Sequence, residues 1–487
     1  MALTFEEKII KSSNSYADFS VVLSKAFKQK KNRRKYGRVF ERLSQLYLLN
    51  EPKYSVIINK IWLLDEVPLN VKEQINLPRK RDEGIDLIIE TKNKEYWAVQ
   101  SKFLSNPNKT LTRTKLNNFH SLAYVHCNDI SHGIVLSTII NPPQKKELID
   151  GVSYILIDAF KELDDKKCKK WKEIQTRISG NIPQLKPSRP RPYQKPIIKK
   201  VSNLLSEVNN GRGKLIMPCG TGKSLISYFI SREISAKKIL ICLPSLYLVN
   251  QSLKTWANEY IANKNKFDYL CVCSDDTVDD IEDDSFNDSA KSLGVKVTTN
   301  KKEIKKFLDF KTDNLKIVFT TYQSGIVLSN AAKNHIFDIG IFDEAHKTVG
   351  NKIKRAAHLI FQENIKISKR LFMTATERVY GGTNEQVISM DNKEFYGEIL
   401  YYMSFAEAVE KKIICDYEIL TLKVDSSDIE NIIDSNLFLK LKQNIGLGNN
   451  QYTENNEFLA REIAVAIALK KASNKYKILK TISFHNS

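Results

Sequence analysis

Short apolar runs separated by polar and amphipathic stretches divide the chain into two regions of different rhythm. In the first, GIDLIIE (84–90), YWAVQSKFL (96–104), GIVLSTI (133–139) and YILIDAF (154–160) read as strands, with a helical-looking stretch, TRTKLNNFHSLAYVH, between the second and third. Helical patterns precede them, so residues 1 to about 165 are expected to form an α/β core. From about 191 the rhythm changes to short strands alternating with helices: KLIMPC, KKILICLP, FDYLCVCS, LKIVFTTY, IFDIGIFDE and KRLFMTAT. Fully apolar strands joined by helices predict a parallel sheet covered on both faces.

Between these regions, NIPQLKPSRPRPYQKP (181–196) holds five of the 13 prolines. Proline fixes φ and removes an amide donor, so this segment cannot continue a helix and is expected to link two domains. Beyond about 415, DYEILTLKVD starts another strand, a polar helical stretch follows, and YKILKTISFHNS closes on an apolar run. No internal repeat is visible. The acidic cluster SDDTVDDIEDD (274–284) reads as a solvated loop, because nothing fixes a metal geometry there.

The length of 487 residues corresponds to about three domains at roughly 150 residues each. With 42% hydrophobic and 27% charged residues the chain is neither disordered nor membrane-dominated, and MALTFEEKIIKSS has acidic residues where a signal peptide needs a basic start. A cytoplasmic location is the expectation. Seventy-six Lys and Arg against 56 Asp and Glu leave +20, which favours a polyanion such as nucleic acid, although a biased genome would produce the same excess. Seven scattered cysteines without a CxxC pair fit a reducing compartment and no structural zinc.

The first chemical motif is MPCGTGKS, between a strand ending near Met217 and a helix beginning near Lys223. Gly220 and Gly222 permit a tight curve, with Thr221 between them, in which backbone amides face a triphosphate. Lys223 would neutralise the β and γ phosphates of ATP, and the Ser224 hydroxyl would take one magnesium position. Met217 stands where the strict pattern has its first glycine, and a loose GxGKS alone can be a chance turn; its place after a strand and before a helix favours the phosphate loop. About 120 residues later, IGIFDEAH sets Asp343 and Glu344 at the carboxyl end of an apolar strand. Asp343 would hold Mg2+ and Glu344 would polarise the attacking water.

With these motifs the chain from about 191 onward resembles superfamily 2 helicases and translocases of the DEAH-box kind. RPYQ (191–194) resembles the adenine-reading motif, which implies that Gln194 contacts the base; LPSLYLVNQS (243–252) and TTYQS (320–324) resemble segments lining the nucleic-acid path, and MTAT (373–376) the motif coupling ATP to nucleic acid. His346 is read through its DEAH context, and His126 and His358 as structural. TISFHNS (481–487) resembles the first strand of the second RecA-like lobe, motif IV, and the later motifs with their arginine finger do not follow it. The resemblance therefore implies a chain that binds ATP, hydrolyses it weakly and does not translocate alone. A truncated gene, a separate polypeptide carrying the rest, or an incomplete sequence would each give this ending.

In RDEGIDLIIETKNKEYWAVQSKFL, Asp86 lies on one expected strand, while Gln100 and Lys102, two apart on the next, project from one face. A metal-dependent phosphodiesterase needs a carboxylate and a second oxygen to hold Mg2+, and a cation to steady developing charge. Asp86, Gln100 and Lys102 supply these in turn, and Glu41, on the amphipathic stretch YGRVFERLSQLYLL (36–49), would add a second carboxylate to the metal. For any one of these residues an exposed strand edge or a turn is the simpler reading. The ordered set resembles the Mrr-like branch of the PD-(D/E)xK nucleases, where glutamine replaces the usual acid, over roughly residues 35–160. The basic run KAFKQKKNRRKYGR (25–38) would grip a DNA backbone, or is equally a solvated helix face.

Together the resemblances imply an α/β chain with a PD-(D/E)xK nuclease-like mixed-sheet domain at 1–165, a linker at 166–190, a RecA-like ATP-binding lobe at 191–415 and an incomplete second lobe at 416–487. This order looks like the front of a type ISP or type I-like restriction enzyme: a Mg2+-dependent endonuclease acting on double-stranded DNA, joined to an ATP-dependent motor. No methyltransferase motif is found, so target recognition is expected from another polypeptide or not at all. The alternatives are a DNA-dependent ATPase with a non-catalytic DNA-binding N-terminal domain, and an inactive remnant of a disrupted gene.

Overall fold

The computed structural model describes residues 3–78, 84–144, 147–165, 169–207, 211–274, 293–351, 355–380, 387–417, 468–470 and 472. The chain forms two compact units, Met1–Ile414 and Cys415–Ser487. Nearly all of the second unit, including the motif IV-like TISFHNS, lies outside the described residues, as do 275–284 of the acidic cluster and Cys168.

In the first unit, five strands form a mixed sheet in sequence order: β1 (Ile58–Leu63), β2 (Leu87–Thr91), β3 (Tyr96–Lys102), β4 (Ile130–Ser137) and β5 (Val152–Ile155). β1, β2 and β3 are antiparallel, whereas β3, β4 and β5 are parallel. Every residue of β2 is buried, because helices cover both faces of the sheet. One face packs on α1 (Phe5–Ser12), α2 (Tyr16–Phe27), α3 (Arg33–Asn50) and α4 (Pro52–Ser55), through Leu87, Ile89 and Val99 against Phe19, Phe40 and Leu43. The other packs on α5 (Leu69–Gln74) and α6 (Arg113–Ser121), through Ile88, Ala98 and Val135 against Val71, Leu116 and Phe119. In α3, Val39, Phe40, Leu43, Leu46 and Tyr47 recur at helical spacing and make its buried stripe.

Two further helices, α7 (Ile157–Lys161) and α8 (Lys170–Ile178), complete this half. α8 falls inside 166–190 and is anchored there by the buried Trp171, whose indole N–H donates to Ser13 O at 2.8 Å. Residues 181–190 are without regular structure, and α9 (Gln194–Glu207) begins soon after the prolines.

The motor lobe is a second sheet, all of whose pairings are parallel. Its strands are β6 (Arg212–Ile216), β7 (Lys238–Leu243), β8 (Phe267–Val272), β9 (Leu315–Thr321), β11 (Ile339–Asp343), β14 (Arg370–Thr374) and β16 (Glu398–Tyr402), in the order β16-β6-β14-β11-β7-β9-β8. Short pairs flank it, β10 (Ile336–Phe337) with β13 (Lys366–Ile367) and β12 (Gly350–Asn351) with β15 (Val387–Ile388). α9, α10 (Lys223–Glu233) and α11 (Leu246–Ala262) cover one face. The sheet's middle strands carry the two acids and the phosphate loop at their carboxyl ends, where open parallel sheets present ligand sites.

The two sheets are not beads on a string. α4 packs on α11, and one apolar cluster runs from Phe40 and Tyr54 to Leu253, Trp256 and Cys271. At this joint the fully buried Lys53 donates through Nζ to Asn250 Oδ1 (3.0 Å) and Leu293 O (2.7 Å), while the Tyr269 hydroxyl donates to Lys53 O (2.7 Å).

Candidate nuclease and nucleotide sites

The antiparallel register of β2 with β3 ends at Leu87 opposite Val99, and Asp86 comes one residue before it. On β3, Gln100 and Lys102 lie two apart and project from one face. The Asp86 amide donates to Val99 O at 2.8 Å, and its carboxylate Oδ2 accepts from the Ser101 amide at 2.6 Å. Burial pushes the Asp86 carboxyl up to about 6, against the lowering effect of the Ser101 amide and the Lys102 charge. Burial likewise lowers Lys102, Asp86 raises it, and the nearby Lys115 of α6 lowers it again. Gly84 sits so close to α6 that a Cβ there would meet the Asn118 carbonyl carbon at 2.7 Å, which fixes the approach to β2 against the helix bearing Lys115.

Gln100 Oε1 is buried and meets no hydrogen-bond donor among the described residues. A buried amide oxygen beside a carboxylate is the donor pair a hard divalent cation takes, so these residues fit Mg2+. Among the described residues no group of three or more His, Cys, Asp or Glu could hold a metal ion, and a cation here would rely on the Gln100 oxygen and Asp86. Glu41 lies on α3, which packs across β1 and β3, and its charge acts on Arg38. It does not figure among the charges that shift Asp86. Ser101 and Lys115 escape the sequence reading: a backbone donor leaves no residue-type signal, and Lys115 lies one helix away.

In the motor lobe, Gly220 and Gly222 adopt left-handed φ of +85° and +79°, which only glycine takes without strain. The turn delivers Lys223 to the N-terminus of α10, where it is buried and its Nζ donates to Met217 O at 3.1 Å. The Thr221 hydroxyl donates to Pro218 O at 2.7 Å and closes the loop. Tyr193, just before α9, and Gln194, its first residue, brace it, donating to Thr221 O at 2.8 and 3.2 Å. Gln194 is therefore placed beside the phosphate loop, and a Cβ on Gly222 would stand 2.8 Å from its Nε2. Ser224 follows on the first turn of α10.

Asp343 ends β11 and Glu344 follows with φ of +49°, a left-handed turn that is uncommon outside glycine. Burial, then the Glu344 charge, pushes Asp343 up to about 6, and Lys223 opposes them. Glu344 is held below its ordinary range, first by its contact with His346. His346 Nδ1 lies 3.3 Å from Glu344 Oε2 and 2.9 Å from Thr374 Oγ1, and the Tyr322 hydroxyl donates to Asp343 O at 2.7 Å. Lys223, Asp343 and Glu344 thus form one charged group, tied to TTYQS through Tyr322 and to MTAT through Thr374. The buried Lys and the acid pair, facing glycine-built amides, fit ATP with Mg2+.

Comparison with known proteins agrees with both halves. Residues 49–176 match the restriction endonuclease family and residues 187–378 match the type III restriction enzyme res subunit family. The chain is 27% identical, with a TM-score of 0.65, to the structure of LlaBIII, an ATP-dependent type ISP restriction-modification enzyme bound to DNA; the match covers 87% of this chain and 27% of that one. A nuclease-deletion mutant of the type ISP enzyme LlaGI, in complex with a DNA substrate mimic, is 30% identical over 47% of this chain and 18% of its own, with a TM-score of 0.37. A probable helicase of African swine fever virus (isolate Tick/Malawi/Lil 20-1/1983) is 30% identical over 211 residues, 43% of this chain. The chain spans 22% of that viral relative's length. It carries a restriction-endonuclease domain followed by a helicase domain. Among the described residues, no helix is long and apolar enough to cross a membrane.

Proposed function

We propose that this chain is a Mg2+-dependent DNA endonuclease fused to an ATP-binding motor lobe and acts in restriction of foreign DNA in the cytoplasm. The observation that carries the reading is the buried, donorless Gln100 Oε1 on the strand whose Ser101 amide and Lys102 charge act on Asp86, on the same compact unit as the phosphate loop. When bound, Mg2+ would supply Lewis-acid activation of a phosphodiester. Asp86 and Gln100 would hold it without Glu41, whose charge does not act on Asp86. Asp86 must be ionised to do so, and Lys102 favours that form while offering its ammonium to the charge that develops on the scissile phosphate. The partly buried environment strengthens both effects relative to water.

In the motor lobe, Gly220, Thr221 and Gly222 supply the turn for the phosphates, Lys223 their counter-charge, Ser224 and Asp343 the Mg2+ contacts, and Gln194 the base contact. Glu344, kept ionised by His346, orients the attacking water. Double-stranded DNA is the substrate, gripped through the excess positive charge. Cleavage assays on Asp86→Ala and Lys223→Ala proteins test the reading: the first loses DNA cutting and the second loses ATP binding. A protein that binds DNA yet shows no Asp86-dependent cutting would instead favour a DNA-dependent ATPase.

A further inference from the structure

Where the nuclease sheet, the proline-rich connector and the motor lobe meet, a cavity of about 340 Å³ opens between all three. That is within the size range of small-ligand sites. Lys92 follows β2, Arg177 stands near the end of α8, and Lys264 and Lys266 lie between α11 and β8; Glu173 is the carboxylate on the lining. None of the four cations forms an ion pair among the described residues. Arg177 spends Nε on Asn50 Oδ1 (2.7 Å) and Nη2 on Leu49 O (3.1 Å), whereas Lys92 Nζ reaches only Ser55 O, at 3.4 Å. Asn50 Nδ2, also at this cavity, is buried and meets no acceptor among the described residues.

Like charges gathered in a partly buried place repel and must be offset. Burial lowers the pKa of both Lys92 and Arg177; Asp268 returns part of the loss to Lys92, and Lys266 depresses it further. The C-terminal ends of α3, α8 and α11 reach this cavity, each worth about half a negative charge. With Glu173 they offset part of the cluster and leave an excess of positive charge and an amide donor without a partner. Val56, Ile182, Pro183 and Phe267 add apolar wall to the same cavity.

We propose that this cavity binds a phosphate-bearing ligand of nucleotide size, its phosphate held by Lys92, Arg177, Lys264 and Lys266 and its flat apolar part against the wall. The site is separate from the phosphate loop at Lys223. Because its lining comes from the nuclease, the connector and the motor lobe, an occupant bridges all three and strengthens their docking. The ligand is either a free nucleotide or a terminal nucleotide of a DNA strand, which present the same chemistry.

Calorimetric titration of the full chain carrying Lys223→Ala tests this without the phosphate loop. The probes are ATP, AMP, inorganic phosphate, and a short oligonucleotide with and without a 5′-phosphate. At least one phosphate-bearing probe is expected to bind, and Lys92→Ala with Lys266→Ala is expected to weaken it about tenfold or more. Lys264→Glu, at an exposed position, should do the same with an unchanged melting temperature, which separates loss of the site from loss of fold. Binding of mononucleotides identifies a free ligand, and binding confined to the 5′-phosphorylated strand identifies DNA. No binding by any probe, or binding indifferent to the cavity substitutions, overturns the proposal.

Discussion

His346 Nδ1 stands 2.9 Å from Thr374 Oγ1, joining the acid-bearing turn after β11 to the end of β14. The Thr374 hydroxyl itself donates to Thr376 O at 2.8 Å, so it receives the imidazole N–H. Glu344 rests on the same imidazole, and the state of the phosphate site therefore reaches MTAT through one ring. Thr374→Val keeps the shape and removes the acceptor, which is expected to cost about 1 kcal/mol of stability. DNA-stimulated ATP hydrolysis should fall further than ATP affinity; equal losses of the two, measured on one preparation, would contradict the link.

Gly222 is the second lever on the nucleotide site. Its φ of +79° strains any other residue, and a Cβ there would stand 2.8 Å from Gln194 Nε2, so the glutamine side chain would have to shift. Gly222→Ala is expected to cost about 1 kcal/mol in backbone strain alone. It should also weaken ATP binding by displacing Gln194. Fluorescent-nucleotide titration checks this, and an unchanged affinity would show that the loop tolerates another path.

Asp86 gives the nuclease a pH signature. Its carboxyl must lose a proton to hold a cation, and with a pKa of about 6 cleavage should rise as pH climbs through that value. The folded-state pKa lies above the unfolded one, so the folded state binds more protons between about 4 and 6 and stability falls as pH rises through that window. In metal-free protein Asp86→Asn is thus expected to raise stability at alkaline pH, by something on the order of 3 kcal/mol, while abolishing cleavage. The gain should vanish near pH 4. A destabilised variant at alkaline pH would mean that the charge of Asp86 serves the fold rather than a ligand.

Lys53 makes the joint between the two sheets respond to pH in the opposite sense. Burial pushes its ammonium down to about 8, below the unfolded value, so the unfolded chain binds more protons between about 8 and 10.5. Stability is expected to rise with pH across that range. Lys53→Met removes the buried charge and should be neutral or stabilising near pH 7, with a flattened profile in thermal melts. A variant much less stable than its parent would show that the bonds to Asn250 and Leu293 outweigh the cost of burial.

Much of this was legible before the structure. IGIFDEAH and MPCGTGKS sit at strand ends because fully apolar strands of a parallel sheet can carry polar chemistry only where they stop. Gln100 and Lys102 share a face because period-two geometry demands it. β1 was harder to read: Asn59 and Lys60 are exposed and break its apolar run, as happens on an edge strand. The partnership of Lys53 with Asn250, 197 positions away, has no local signal at all. The same holds for Ser101, which acts through its backbone, and for the cation-lined cavity, whose residues come from five separate stretches of chain.

The most direct measurement is plasmid cleavage with Mg2+, with and without ATP, by the parent chain and by Asp86→Ala and Lys223→Ala proteins. Cutting by the parent, none by the Asp86 variant, and cutting retained in the Lys223 variant are expected, with DNA binding kept in all three. Equal cutting by the parent and the Asp86 variant, or DNA binding with no cutting by any form, would contradict a nuclease centre at Asp86, Gln100 and Lys102.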